Sequence, residues 1–206
     1  SLSSEGLKSA GPHPNSIIFL TCDAYGIMPP LAKLDKKQAM YHFISGYTAK
    51  MAGTETGVNE PIAAFSPCYG GPFLTLPPLK YAELLEQKLD RFNSDVYLVN
   101  TGWSGSSSIS GSNRIDLKLT KHIIDLINNE LDFSESVRDK FFNLEIPLNL
   151  DGLDNDFLVP HYSWSNLEEY YSTGNMLTRL FNKNFEKYHI TDQAILSAGP
   201  SSKFHP

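Results

Sequence analysis

The chain has 206 residues, of which 41% are hydrophobic and 12% aromatic, enough for a folded core in a single domain spanning 1–206. Its 17 Lys and Arg against 23 Asp and Glu give a formal net charge of -6, and no basic block is present to neutralise a run of nucleic-acid phosphates. We therefore expect no nucleic-acid partner, whereas a phosphorylated metabolite is compatible with this charge because a few local donors suffice to hold it.

The N-terminal segment, the cysteines and the lengths of the apolar runs bear on the cellular compartment of the protein. No apolar run approaches the roughly 20 residues of a membrane-spanning helix. Residues 1–14 are rich in Ser, Gly and Pro and lack a signal-peptide pattern, so we expect them to be flexible. Two cysteines, Cys22 and Cys68, favour reduced thiols in a cytoplasmic protein, with no membrane partner. Because the first residue is not Met and a strand follows almost at once, we expect a piece of a longer protein.

In the first half of the chain, Ser16 to Leu20 (SIIFL) predicts a strand buried on both faces. Gly26 and Pro29-Pro30 predict a loop, and Asp35 is the expected N-cap of a helix through about Tyr47. The stretch from Ala52 to Tyr69 has no sustained period and predicts a long loop. A helix from Leu79 to about Phe92 and a buried strand from Asp95 to Asn100 follow.

In the second half, Ser104 to Asn113 is a Ser/Gly loop, and Lys118 to Asn129 predicts an amphipathic helix. Phe141 to Ile146 suits an edge strand or an extended segment, and Asn149 to Tyr162 reads as irregular. A long helix is expected from about Asn166 to Tyr188, with a kink at Gly174, and a short helix from Asp192 to Ser197. Together these elements predict a mixed α/β fold.

Six segments resemble one family, the ATP-dependent phosphoenolpyruvate carboxykinases, in the order and spacing that the family shows. The resemblance covers most of the chain from about Pro14 to Pro200 and is weakest between Asp132 and Ser165. The segments are FLTCDAYGIMPPLAKL (19–34), AMYHFISGYTAKMAGTETGVNEP (39–61), YLVNTGW (97–103), NRIDLKLTKHIIDLI (113–127), LFNKNFEKY (180–188) and LSAGP (196–200).

The resemblance implies the fold, the reaction and the partners. The fold would be the C-terminal part of the mononucleotide-binding domain, a mixed sheet with packed helices and a mobile active-site lid loop. The full-length enzyme would convert oxaloacetate and ATP to phosphoenolpyruvate, carbon dioxide and ADP in gluconeogenesis, with Mg²⁺ or Mn²⁺. The family's phosphate loop and metal ligands precede the part that this chain resembles, and the chain has no G-x-x-x-x-G-K-[ST] motif. We therefore expect no metal ligand or catalytic residue in this piece, little activity by itself, and the missing N-terminal part as its partner.

The family's adenine-side residues fall on Arg114, Ile115 and Thr120. A guanidinium can stack on or bond to a purine and its ribose, Ile offers an apolar face, and Thr offers a donor or acceptor to a base edge. Each has a structural alternative: Arg114 as a solvated residue at a helix start, Ile115 as core, and Thr120 bonded back to its own helix.

The family's lid falls on the segment from Gly53 to Pro61, including Thr54, Glu55 and Gly57. A lid would exclude water from the enolate and the transferred phosphoryl group, although the segment by itself also suits a plain surface loop.

The sequence leaves the roles of two further residues undecided, and it is compatible with two alternative functions. Asp23 either lies near the site or caps a loop, and Cys68 is either a small buried residue or a reactive thiol. The functional alternatives are a stand-alone nucleotide-binding module and a non-catalytic remnant that serves in an interaction.

Overall fold

A five-stranded mixed sheet organises the chain in the computed structural model, which describes residues 11–50, 61–105, 114–129 and 131–201. The strands of the described part are β1 (Ser16–Thr21), β2 (Leu31–Leu34), β3 (Tyr47–Lys50), β4 (Ile62–Phe65), β5 (Asp95–Asn100), β6 (Ser136–Arg138) and β7 (Glu145–Pro147). The order in the large sheet is β1-β5-β2-β7-β6, while β3 and β4 pair separately. Because β1 is parallel to β5 and β2 is antiparallel to both β5 and β7, the predicted mixed sheet is confirmed.

Helices pack on this sheet, and several begin at side-chain caps, of which Asp35 was predicted from the sequence. Asp35 forms a capping box with Gln38, and Asp116, Asn166 and Asp192 each accept hydrogen bonds from the first turn of the helix that follows. The helices are α1 (Lys36–Ser45), α2 (Pro78–Phe92), α3 (Leu117–Asn128), α4 (Asn155–Leu158), α5 (Pro160–Ser163), α6 (Leu167–Glu186) and α7 (Gln193–Ser197).

Strand β5 is buried from Val96 to Asn100 and separates two apolar clusters. One cluster contains Val96 and Leu98 with residues of α1, α2 and α6, and the other contains Tyr97 and Val99 with residues of α3. Adjacent residues of a strand point to opposite faces, so an almost continuous apolar run is what a strand covered on both faces needs.

The prediction that β1 is buried on both faces is only partly right. Phe19 is buried, but Leu20 is 54% exposed, and β1 forms one end of the sheet among the described residues. Apolar periodicity indicates which faces of a strand are suited to burial, but it does not specify the neighbouring strand.

Three short strands lie where the sequence predicts loop or helix. β2 follows Pro29-Pro30 directly and was not predicted. The helix expected to reach Tyr47 ends at Ser45, because Gly46 takes a left-handed φ of 54° and Tyr47 begins β3. β4 lies inside the loop predicted from Ala52 to Tyr69.

The strand predicted from Phe141 to Ile146 is largely a turn. The carboxylate of Asp139 accepts hydrogen bonds from the backbone N–H groups of Phe141, Phe142 and Leu144, at 2.9, 2.9 and 2.6 Å. Only from Glu145 does the chain extend, as β7, and β7 lies between β2 and β6 rather than at an edge. The stretch predicted as irregular contains the short helices α4 and α5.

Gly174 permits close packing within the long helix α6, which runs unbroken from Leu167 to Glu186 instead of kinking there. A Cβ at Gly174 would lie 2.1 Å from the ring of Phe141. The buried Phe141 therefore packs directly on the helix backbone.

Candidate nucleotide site

The loops that follow β1 and β5 are joined by the side chain of Asn100, which is fully buried. Its Oδ1 accepts hydrogen bonds from the backbone N–H groups of Asp23 (2.9 Å) and Gly102 (2.8 Å). Its Nδ2 donates to the carbonyl oxygens of Met28 (3.0 Å) and Trp103 (2.9 Å). All four hydrogen-bonding positions of the amide are thus used to fix the carboxyl ends of two parallel strands.

Asp23 holds the loop after β1 in shape. Its two carboxylate oxygens accept from the N–H groups of Tyr25, Ile27 and Met28 at 3.0, 2.7 and 2.9 Å, and from the hydroxyl of Tyr47 at 2.7 Å. Burial raises the pKa of Asp23, and these donors oppose the shift. Of the two interpretations left open by the sequence, the structure shows the loop cap.

The same network reaches the β3–β4 hairpin. The hydroxyl of Thr21 donates to the carbonyl oxygen of Tyr47 at 2.8 Å, and the N–H of Ala63 donates to the hydroxyl of Tyr25 at 3.3 Å. The base of the hairpin is therefore attached to the loop after β1.

Gly102 is required by the close approach of the two loops. A Cβ there would lie 2.2 Å from the carbonyl oxygen of Asp23 and 2.4 Å from its nitrogen. The carbonyl oxygen of Gly102 accepts from the N–H of Ile115 at 2.7 Å, which fixes the chain just before α3.

Arg114 lies at this carboxyl edge of the sheet with an exposed side chain. Its Nε donates to the carbonyl oxygen of Thr101 at 2.6 Å, and Nη2 lies 3.4 Å from the Thr101 hydroxyl. A guanidinium has five N–H donors, and the contacts to described residues use two of them. Open α/β sheets bind ligands at the carboxyl ends of their strands, which is where Thr101 holds Arg114.

A cleft of about 600 Å³ opens beside Arg114. Arg114 and Ile115 both line it, and Ile115 is half-buried, so part of its side chain is available to a ligand. Thr120 does not line this cleft: its side chain is buried, and its hydroxyl lies 3.4 Å from the carbonyl oxygen of Asp116, one helical turn back. The structure thus brings together two of the three residues expected to hold the adenine side. The other lining residues are Ser104, Asp116, Leu119 and Phe157.

Burial raises the pKa of both cysteine thiols. Cys22 is buried near Arg114, and burial raises the pKa of its thiol although the Arg114 charge opposes the shift. Burial raises the pKa of Cys68 to about 11, and its Sγ lies 3.8 Å from the carbonyl oxygen of Pro78. A thiol with so high a pKa is a poor nucleophile, which argues against the reactive-thiol interpretation, while Cys68 is half-buried rather than fully buried.

Several expectations concern residues outside the described part of the chain. The lid positions Gly53, Thr54, Glu55 and Gly57 all lie there, as do residues 1–10. Within the described residues, no group of three or more His, Cys, Asp and Glu side chains is arranged to hold a metal ion. No described helix has both the length and the apolar character to cross a membrane.

Comparison with known proteins bears on the resemblance directly. The family profile described as "Phosphoenolpyruvate carboxykinase" matches residues 2–156. The chain belongs to the ATP-dependent phosphoenolpyruvate carboxykinase family. The carboxykinase (ATP) of Oceanobacillus iheyensis is 47% identical over 196 residues, which cover 95% of this chain and 37% of the relative. Those of Caldanaerobacter subterraneus subsp. tengcongensis and Bacillus subtilis are 48% and 45% identical, over 92% and 91% of this chain and 36% of each relative.

The chain therefore spans little more than a third of the length of these carboxykinases. Membership of the family confirms the prediction made from the six sequence segments. Sequence reasoning missed Ser104 and Phe157 in the cleft, and it gave no role to Asn100. Phe157 lies in a stretch without periodicity, and a buried Asn has no sequence signature, so only the fold could bring them together.

Proposed function

We propose that this chain forms the adenine and ribose side of the ATP site of a phosphoenolpyruvate carboxykinase. The complete protein would convert oxaloacetate and ATP to phosphoenolpyruvate, carbon dioxide and ADP. Its preceding part would hold the triphosphate and the Mg²⁺ or Mn²⁺. The observation that carries the proposal is the cleft at the carboxyl edge of the sheet, which Arg114 and Ile115 line together.

The chemistry of the cleft suits the base end of a nucleotide. Ile115, Leu119 and Phe157 give it apolar surface for a purine face, and Arg114 gives it donors and a planar cation. Thr120 belongs to the same proposal through the family pattern. To reach a base edge, its hydroxyl would exchange its 3.4 Å contact with Asp116 for the ligand.

In this proposal the chain positions the nucleotide and performs no bond-making step. The lid at Gly53, Thr54, Glu55 and Gly57 remains part of the proposal on the family pattern alone. A cytoplasmic location belongs to it as well, supported by a sequence with only two cysteines, too few for a disulfide scaffold.

The decisive experiment substitutes Arg114→Ala in the complete enzyme. We expect the KM for ATP to rise about 10- to 100-fold, because one charged hydrogen bond or stacking contact contributes about 1.5–3 kcal/mol. The KM for oxaloacetate should change much less. Arg179→Ala is the matched control, since Arg179 is also exposed and its Nε also donates to a backbone carbonyl, that of Asn175, at 3.0 Å. Unchanged ATP kinetics in Arg114→Ala would remove Arg114 from the site.

Nucleotide titrations of the 206-residue chain separate the alternatives. If the chain holds only the base and ribose, adenosine, AMP and ATP should bind with similar weak affinity. A strong preference for ATP over AMP would place the triphosphate within this chain and contradict the division of labour proposed. No binding of any of the three at millimolar concentration would exclude a stand-alone nucleotide-binding module.

A further inference from the structure

Strand β1 is built for an interior position but has a neighbour on one side only among the described residues. Ile17 and Phe19 pack against one apolar cluster of the sheet, and Ile18 packs against the other. Strands with apolar residues on both faces are typical of the middle of an α/β sheet, whereas natural edge strands usually carry charges or proline. The six residues SIIFLT contain neither.

The backbone of β1 shows which groups face away from β5. The carbonyl oxygen of Asn15 accepts from the N–H of Asp95 at 2.8 Å, and that of Thr21 accepts from the N–H of Thr101 at 2.9 Å. Because the N–H and C=O groups of alternate residues point to the same side of a strand, the odd-numbered residues bond to β5. Ser16, Ile18 and Leu20 therefore present their N–H and C=O groups at the opposite edge.

Exposed apolar side chains lie beside this edge. Leu20 is 54% exposed, and the ring of Tyr69, which is 37% exposed, lies 5.7 Å from the ring of Phe19. We call Leu20 and Tyr69, together with the outward backbone of β1, the β1 edge surface. A long apolar strand edge of this kind is a template for another strand.

We propose that the β1 edge surface docks a β-strand from the part of the carboxykinase that this chain does not span. The chain matches 36% to 37% of the length of the curated relatives, so each relative is nearly three times as long as the part that the chain matches. An added strand would satisfy the three outward residues, and polypeptide around it would cover Leu20 and Tyr69. This inference rests on the sheet and on family membership, and it is independent of the nucleotide assigned to the Arg114 cleft.

Hydrogen exchange tests the proposal at single amides. In the 206-residue chain at micromolar concentration, the N–H groups of Ile18 and Leu20 should exchange rapidly. In a chimera in which this chain replaces its matching share of the Bacillus subtilis relative, they should exchange at least about 100-fold more slowly. The N–H groups of Ile17 and Phe19, which face β5, should be protected in both proteins and serve as internal controls.

Three results would overturn the proposal. Equal exchange of Ile18 and Leu20 in the two proteins would show that no strand is added. Protection already present in the monomeric chain would show that its own residues cover the edge. Protection that increases with protein concentration would show that a second copy covers it. If the chimera does not fold, the complete Bacillus subtilis enzyme provides the same comparison at its aligned positions.

A pair of substitutions at Ile18 provides a second measurement. Ile18→Ala removes the side chain and keeps the outward N–H, whereas Ile18→Pro removes both, and proline is tolerated where the N–H does not bond within the sheet. In the isolated chain, the two variants should have the same Tm. In the chimera, the Tm of Ile18→Pro should be lower than that of Ile18→Ala. Equal Tm values in the chimera would count against an added strand.

Discussion

Replacing Asn100 with Asp tests whether one amide holds the loops of the candidate site together. The two side chains have the same shape, but a carboxylate cannot donate, so the carbonyl oxygens of Met28 and Trp103 would lose their partner at 3.0 and 2.9 Å. Each buried polar group left unsatisfied costs about 1–3 kcal/mol, which gives a destabilisation of about 2–6 kcal/mol. In a protein of this size, that corresponds to a fall in Tm of roughly 10 °C.

The assay is thermal and urea unfolding of Asn100→Asp against the parent chain. Asn166→Asp is the matched control, because the exposed Asn166 uses only its acceptor oxygen, towards the N–H groups of Glu168 and Glu169. Asp serves equally well as an N-cap, so this control should change stability by less than about 0.5 kcal/mol. If Asn100→Asp unfolds like its control, the four-bond arrangement is not what holds the two loops.

Two further predictions concern the core beneath the site. Burial lowers the pKa of His42 to about 4, and Nε2 has no hydrogen-bond partner within the described structure, so folding stability should fall by about 3 kcal/mol as pH drops from 6.5 to 4. Burial raises the pKa of Asp139 to about 6, and this shift should raise folding stability as the pH falls, opposite to the effect of His42. The measured quantity is therefore the difference in the pH dependence of folding stability between the parent and His42→Leu. Equal slopes of stability against pH in the two proteins would refute the assignment of this dependence to His42. Gly174→Ala places a Cβ 2.1 Å from the Phe141 ring and should destabilise by about 1–3 kcal/mol, whereas Ser172→Ala on the exposed side of the same helix should be close to neutral. No loss of stability for Gly174→Ala in urea unfolding would show that the ring can move.

The sequence predicted most of the long elements because each carries its own local signals. Strand β5 was predicted with its observed bounds, and α2, α3 and α6 differ from expectation by one or two residues at their ends. Caps such as Asp35 and Asn166 and apolar residues at helical spacing are local information, readable without the rest of the fold.

The short strands could not be predicted in the same way. β2 has four residues between a proline pair and a helix, and it is a strand because β5 and β7 lie on either side of it. β4 exists because β3 pairs with it at Tyr47↔Phe65 through Lys50↔Ile62. Such segments take their conformation from partners distant in sequence, so apolar periodicity carries little information about them.

The candidate site likewise has features that the sequence predicts and features that depend on the fold. The family pattern brought Arg114 and Ile115 to notice, and the fold places both on one cleft. Thr120 follows a few residues later, within α3, and its side chain is turned into the protein. The family pattern therefore identified the segment that bears the site, while the direction of each side chain depended on how this segment and α3 pack against the sheet.

The strongest physical constraint near the candidate site comes from two residues that no sequence motif identifies. Asn100 and Asp23 together accept or donate eight hydrogen bonds that join the ends of β1 and β5 and reach the hairpin through Tyr47. Thr101, the next residue after Asn100, holds the guanidinium of Arg114. The cleft and the base of the hairpin consequently share one buried support. A change within that support should disturb both, because groups in one hydrogen-bond network do not act independently.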